Sequence, residues 1–342
     1  MSDMYVPPFT MTEEIVNMVI DIGELVGRID AHYDLSLNPT LRRKNRIKTI
    51  YSSLAIEQNT LSMDQVTDVI DGKRVLAPPD DIAEVKNAYG AYEYMQKLDM
   101  YSVEDLLLAH RLMTEGLIKE SGRFRSGNAG VYDQDHNLIH AGTPANYVPE
   151  LVRELFEWMR GSNMHPLVKS CVFHYEFEFI HPFADGNGRT GRLWHTLILM
   201  NWKSFFAWLP IETLIHENQN EYYSAINASN NSGESTIFVE FMLRIIKKAL
   251  EEIVENQDAH RHVGDYVGIN VGNNVGINMR PVSTEGKMLE LLKRQPEMTA
   301  AGAAAFLGVS VRQAERVIAA LKADGKLVRI GANRGGRWKV IE

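Results

Sequence analysis

The chain has 342 residues, 45% of them hydrophobic and 23% charged, with a net charge of −8. That composition excludes a mainly disordered chain, and the negative balance argues against nucleic-acid binding by the whole surface. The single cysteine, Cys171, excludes an internal disulfide framework and a cysteine-rich zinc site. No apolar run reaches the roughly 18 residues that a membrane span needs. The first residues show no basic segment followed by an apolar one, so no signal peptide is evident and a cytoplasmic location is expected.

In chain order, residues 11–35 place Ile15, Met18, Val19, Ile22, Leu25 and Ile29 at helical spacing. A second helix is predicted over 41–57, after the turn residues Asn38 and Pro39. A third spans 62–72 with Ser62 as N-cap, a fourth runs from Asp80 to Leu98, and a fifth covers 102–118 with Ser102 as N-cap. From Gly122 to Pro149 the chain turns rich in Gly, Asn, Asp and Pro. There Ala129–Tyr132 and Asn137–His140 read as a β-hairpin. Helical pattern resumes at 147–160, 166–180, 188–202, 217–230 and 235–255.

Residues 257–282 repeat Val-Gly every four positions, which disfavours helix and reads as a linker. Residues 283–342 read as three helices, at 285–293, 299–306 and from Ser310 to Ala323, then strands 326–330 and 337–341. That order is the pattern of a winged helix-turn-helix. This piece holds 11 Lys or Arg against 6 Asp or Glu, a net +5, which leaves −13 on the rest. Arg312, Arg316, Arg334 and Arg337 are its candidate DNA contacts. Oligomerisation or protein docking is the other use of such a module, because fold alone does not define function.

The sharpest signal is HPFADGNGRTGR, His181 to Arg192. Gly186, Asn187 and Gly188 let several backbone N–H groups converge at the start of a helix, which makes an anion site. Arg189 and Arg192 are three apart and add charge-assisted hydrogen bonds to further phosphates. A carboxylate beside phosphates, Asp185, most simply holds Mg²⁺. His181 lies at the rim, where a neutral imidazole takes a proton from an incoming hydroxyl. Phe183 is expected to anchor the loop in the core. His174 and Glu178 share an i, i+4 spacing but lack a third ligand at matching spacing, so a core or surface role is expected of them.

These residues resemble the signature of the Fic family, His-x-Phe-x-Asp/Glu-Gly-Asn-Gly-Arg-x-x-Arg, at every specified position. The resemblance covers about residues 40–255. It implies a mainly α, Fic-type helical domain with a β-hairpin flap, here followed by the C-terminal winged-helix domain. It implies AMP transfer from ATP to a Ser, Thr or Tyr hydroxyl of a target protein. By resemblance His181 is the general base, Asp185 the Mg²⁺ ligand and Asn187 a contact to the α-phosphate. Arg189 and Arg192 hold the β- and γ-phosphates, and Gly186, Gly188, Thr190 and Gly191 complete the ATP-binding stretch. Gly130, Val131 and Tyr132 of the flap are expected on the nucleotide side, the hairpin clamping the target segment as an added strand. Tyr222 and Asn230, in a segment resembling the family's adenine pocket, complete the nucleotide site.

The segment around Ser53 and Glu57 resembles the family's inhibitory motif, Ser/Thr-x-x-x-Glu-Gly/Asn, with Gln58 in place of Gly or Asn. The resemblance implies that Glu57 pairs with Arg192 and denies it to the γ-phosphate. Four parts are therefore expected: an N-terminal helical region, 1–110, with the inhibitory helix near 45–58; a catalytic core, 111–256; the linker, 257–282; and the winged helix, 283–342. A homodimer is expected from the resemblance. Removal of AMP, phosphate transfer, and a DNA-binding regulator with a nucleotide-sensing helical domain are the alternative functions.

Overall fold

The computed structural model describes residues 5–32, 39–128, 130–132, 138–141, 143–268, 288–289, 291–293, 296, 298–307, 311–330 and 337–341. The chain divides into two units, Met1–Ile269 and Asn270–Glu342, each with its own buried apolar cluster.

In the first unit α1, Glu13–His32, buries Ile15, Ile22 and Ile29. It packs along α11, Thr236–Gly268. At the middle lie α7, Pro166–Ile180, and α8, Asn187–Trp202. Both are buried on nearly every face, and a helix needs neighbours on all sides for that. Around them stand α2, Pro39–Ile56; α3, Met63–Ile70; α4, Pro79–Tyr94; α5, Val103–Thr114; α6, Val148–Gly161; α9, Ile211–Glu217; and α10, Gln219–Ser232. The expected N-caps are in place. Ser62 forms a capping box with Gln65, and the Ser102 hydroxyl accepts from the Asp105 N–H.

Two elements differ from the sequence expectation. Helix α9 was not expected; it is a short helix between Pro210 and Asn218, too brief to show a period. It packs against α2, where the Ser52 hydroxyl donates to Thr213 Oγ1 at 3.2 Å. Helix α11 continues to Gly268, so the start of the segment expected as linker from 257 is helical; 269–282 lies outside the described residues. One glycine every four residues weakens a helix by about 1 kcal/mol each, which propagation from a long, well-packed stem offsets.

The hairpin forms as expected from β1, Gly130–Tyr132, and β2, Leu138–Ala141. It is antiparallel, with Gly130 opposite Ala141 and Tyr132 opposite Leu138. In the second unit the helices Ala300–Leu307 and Val311–Ala323 precede an antiparallel pair, Leu327–Ile330 with Arg337–Val340. Trp338 closes the small core and donates its indole N–H to Met298 O at 3.0 Å. Arg312, Arg316 and Arg337 are exposed; Arg334 and Ser310 lie outside the described residues.

Candidate active site

The loop between α7 and α8 is held by its own residues. His181 ends α7 in the left-handed region, at φ 52°. Its carbonyl accepts from Arg125 Nε at 2.7 Å. The same guanidinium bonds Gly127 O and Thr143 O, on either side of the hairpin. Arg125 thus ties the flap's base to the end of α7, and nothing in the sequence pattern marked it.

Phe183 is fully buried, as expected, and its ring lies parallel to that of His110 with 3.6 Å between centroids. His110 Nδ1 accepts from the Gly122 N–H and Nε2 bonds Asp185 O, both at 3.0 Å. Burial lowers the His110 pKa to about 4, so this pin is neutral. Gly186 follows at φ 79°, where a Cβ would also lie 2.8 Å from Thr114 Cγ2. Only glycine fits both demands.

Asn187 was expected at the α-phosphate. Its side chain is buried and already committed: Oδ1 accepts from the Phe183 N–H at 2.8 Å and Nδ2 donates to Phe183 O at 2.9 Å. What it presents at the start of α8 is its backbone N–H. With those of Gly188 and Arg189 it lacks an intrahelical acceptor, as at any helix start.

The arginines are both buried. Arg192 donates to Ser53 Oγ at 3.0 Å, to Ser53 O at 2.9 Å and to Glu57 Oε1 at 2.7 Å. Burial works against its charge, and Glu57, together with Tyr222 and Glu178, offsets this and holds the guanidinium above its ordinary pKa. Glu57 also covers the helix start, since a Cβ added at Gly188 would overlap Glu57 Oε1 and lie 2.8 Å from Arg192 Nη1. The carboxylate therefore sits in the anion cradle itself. Arg189, expected at a phosphate, pairs with Glu84 at 2.7 Å and with Asp185 at 3.2 Å.

A cavity of about 230 Å³ opens beside this cradle. Glu57, His181, Gly188, Arg192, Tyr222 and Asn230 all line it. Thr190 is fully buried, and Gly191 packs against α7, where a Cβ would lie 2.8 Å from Glu178 Oε1, so neither faces the cavity. Tyr222 is mostly core, its hydroxyl 3.2 Å from His174 Nε2, and Asn230 Oδ1 accepts from the Tyr175 hydroxyl. The backbone of Gly130–Tyr132 is paired in the hairpin, and their side chains lie outside the described residues.

Several lining residues were missed, among them two titratable ones. Tyr223 and Glu178 both face the cavity. Glu178 was set aside with His174, and the two do form a core pair at 3.7 Å. Burial raises the Glu178 pKa to about 7, against the pull of His181 and Arg192. A carboxyl whose folded pKa is raised loses stability as pH rises from its unfolded value toward the folded one. Glu178→Gln is therefore expected to raise the unfolding midpoint at pH 8 and to leave it nearly unchanged at pH 4. Equal shifts at both pH values would show that Glu178 is not neutral in the fold.

Gln58 takes φ 67° just after α2, which explains why the motif has Gly or Asn there. Gln58→Gly is expected to stabilise the protein by about 0.5–1 kcal/mol, because the left-handed conformation costs other residues more. The denaturant midpoint reads this directly; a lower midpoint would refute the strain.

A hairpin and a glycine-bounded helix start, with two buried arginines on the first turns of that helix, define the architecture of the site in a mainly helical protein. A family model described as Fic/DOC family matches residues 100–199. The chain is 27% identical over 248 residues to protein adenylyltransferase Fic of Nematostella vectensis, covering 67% of this chain and 55% of that one. It is 30% identical over 233 residues to protein adenylyltransferase Fic of Drosophila melanogaster, covering 63% and 44%. The chain thus spans about half the length of the curated relatives it matches. A crystal structure of a Fic family protein from Desulfovibrio desulfuricans G20 is 41% identical, covers 98% of each chain and superposes with a TM-score of 0.75. This chain belongs to the Fic family.

Proposed function

We propose that the chain transfers AMP from ATP to a Ser, Thr or Tyr hydroxyl of a target protein, and that Glu57 holds it inactive at rest. The observation that carries this is the Glu57 carboxylate on Arg192 and over Gly188. A carboxylate in that place occupies an anion cradle from within. The relatives' name, protein adenylyltransferase, supports the reaction class.

In this reading the hydroxyl oxygen attacks the α-phosphorus. The bond to the pyrophosphate oxygen breaks, and the hydroxyl proton passes to His181. Burial holds the His181 imidazole below its ordinary pKa, against the opposing pull of Glu178, so it is neutral and able to accept. Its Nδ1 has no hydrogen-bond partner among the described residues. The N–H groups of Asn187, Gly188 and Arg189 face the developing charge, and Arg192 takes the terminal phosphate once Glu57 leaves. Binding supplies position more than covalent chemistry.

Mg²⁺ fits only together with substrate phosphates. Asp185 is a single, half-exposed carboxylate, and no cluster of three His, Cys, Asp or Glu occurs among the described residues. Asp185 would hold the ion, which would supply positive charge against the phosphates of the substrate.

The hairpin edge suits a target segment added as a strand. For the second unit, the helix, helix and hairpin order supports a winged helix, with protein docking or DNA contact at Arg312, Arg316 and Arg337. No helix among the described residues is long and apolar enough to cross a membrane. The test uses α-labelled ATP with Mg²⁺ and a cell lysate. Label on protein is expected, and its absence with every variant discussed below would overturn the reaction.

A further inference from the structure

A second arginine cluster stands on the same helix as the brake. Arg42, Arg43 and Arg46 lie in the N-terminal half of α2 and line a cavity of about 300 Å³ with Tyr89, Glu93 and Trp208. Like charges one helical turn apart repel, yet Arg42 and Arg46 both lie over the Trp208 ring, at 5.1 and 4.7 Å from its centroid. Arg46 is also 5.1 Å from the centre of Tyr92. It is 3% exposed, and its Nε and one Nη, like Arg42 Nε, are buried without a hydrogen-bond partner among the described residues.

Ring faces stabilise a guanidinium charge but accept no in-plane N–H bond. A buried donor without an acceptor is costly, and arginine cannot shed its proton to escape the cost. The counter-charges nearby do not remove it. Glu93 Oε1 stands 3.5 Å from Arg46 Nε, but its side chain is half exposed and free to yield. Arg43 is drawn to Asp71. Below the rings, Glu212 Oε1 accepts from the Tyr92 hydroxyl and from Thr196 Oγ1. The first turn of α2 holds no acidic residue of its own.

We propose that this cavity binds a small phosphate-bearing molecule, its phosphate held by Arg42 and Arg46 and its body against Trp208 and Tyr89. The forked donors match phosphate oxygens, and the rings give a flat surface to a small organic body. The site is separate from the catalytic cradle and does not depend on the reaction proposed there. It does share α2 with the segment that leads into Glu57. Arg46 and Ile56, the last residue of α2, are ten residues apart, about 15 Å along the helix axis, and Glu57 follows directly.

The test titrates the full chain with inorganic phosphate, pyrophosphate and AMP by calorimetry at low salt. At least one probe is expected to bind with a dissociation constant of about 1 mM or tighter. In Arg42→Gln that affinity is expected to fall about tenfold or more, with the unfolding midpoint little changed. If Arg42→Gln does not fold, Arg42→Lys is used instead; it keeps the charge, loses the fork, and is expected to weaken binding severalfold. No binding by any probe, or equal binding with and without the Arg42 guanidinium, would overturn the site.

Discussion

Glu57→Gly is expected to raise AMP transfer about a hundredfold above wild type and to make the resting protein less stable. Both effects have one cause. Arg192 is 2% exposed, and Glu57 is its only ion-pair partner among the described residues. Breaking a buried pair by removing one member costs about 3 kcal/mol, which corresponds to roughly two decades in an equilibrium. On the proposed reading, ATP must displace the carboxylate from Arg192 and from the space over Gly188 in the wild type. In the variant both are open, and the stranded guanidinium keeps only Ser53 Oγ and Ser53 O. The phosphates of ATP then supply the missing partner. Thermal unfolding with and without ATP reads this directly: the apo variant melts below wild type, and ATP raises its midpoint more than that of wild type. Glu57→Gln, which keeps the size and removes the charge, should fall between. Equal transfer rates in wild type and Glu57→Gly would refute the brake.

The second large effect is at His181. In the Glu57→Gly background, His181→Ala is expected to lower transfer by about 10²–10⁴-fold, the usual worth of a positioned base. ATP binding should survive, because the imidazole is not part of the phosphate cradle. His181 holds a left-handed φ, so alanine there adds backbone strain. His181→Asn, which tolerates that conformation, separates strain from chemistry; both variants should lose activity to a similar extent. The pH profile gives an independent sign. A base whose pKa is lowered is lost only when pH falls below the ordinary histidine value of about 6.5. The acid limb of kcat/KM in Glu57→Gly is therefore expected below that pH, with a plateau through neutrality. A limb above pH 7 would remove His181 from the role of base.

The chemistry of the site was legible because it is local. Twelve consecutive residues carry the imidazole, the glycines, the carboxylate and both arginines, and the helix that follows has an unambiguous apolar period. The carboxylate that meets Arg192 was also legible, through the resemblance of Ser53 and Glu57 to the family's motif. The supports of the site were not. Arg189 meets Glu84 across 105 residues, His110 meets Asp185 across 75, and Arg125 meets the His181 carbonyl across 56. No periodicity records such pairings, since each partner looks like an ordinary helix or loop residue in its own neighbourhood. Asn187 shows the same limit. Its place in the motif suggested a ligand contact, while both ends of its amide are spent on the Phe183 main chain.

By itself the sequence determined that the first 255 residues are mainly helical with a hairpin, and that a glycine-bounded turn opens a helix after His181. Those properties follow from period, turn chemistry and residue type, which act over a few residues; the carboxylate at Glu57 was marked by the family resemblance. Only the tertiary structure decided where that carboxylate goes. Burial of α7 and α8 brings Arg192 to Ser53 and Glu57 across 139 and 135 residues, and the seat of α2 on α9 sets the carboxylate over Gly188. Burial also decided which groups keep their charge. It sets Arg192 beside a carboxylate at 2.7 Å, and it raises Glu178, whose side chain is 12% exposed, toward the neutral form. Desolvation depends on what surrounds a group in three dimensions, and residue order alone does not carry that information.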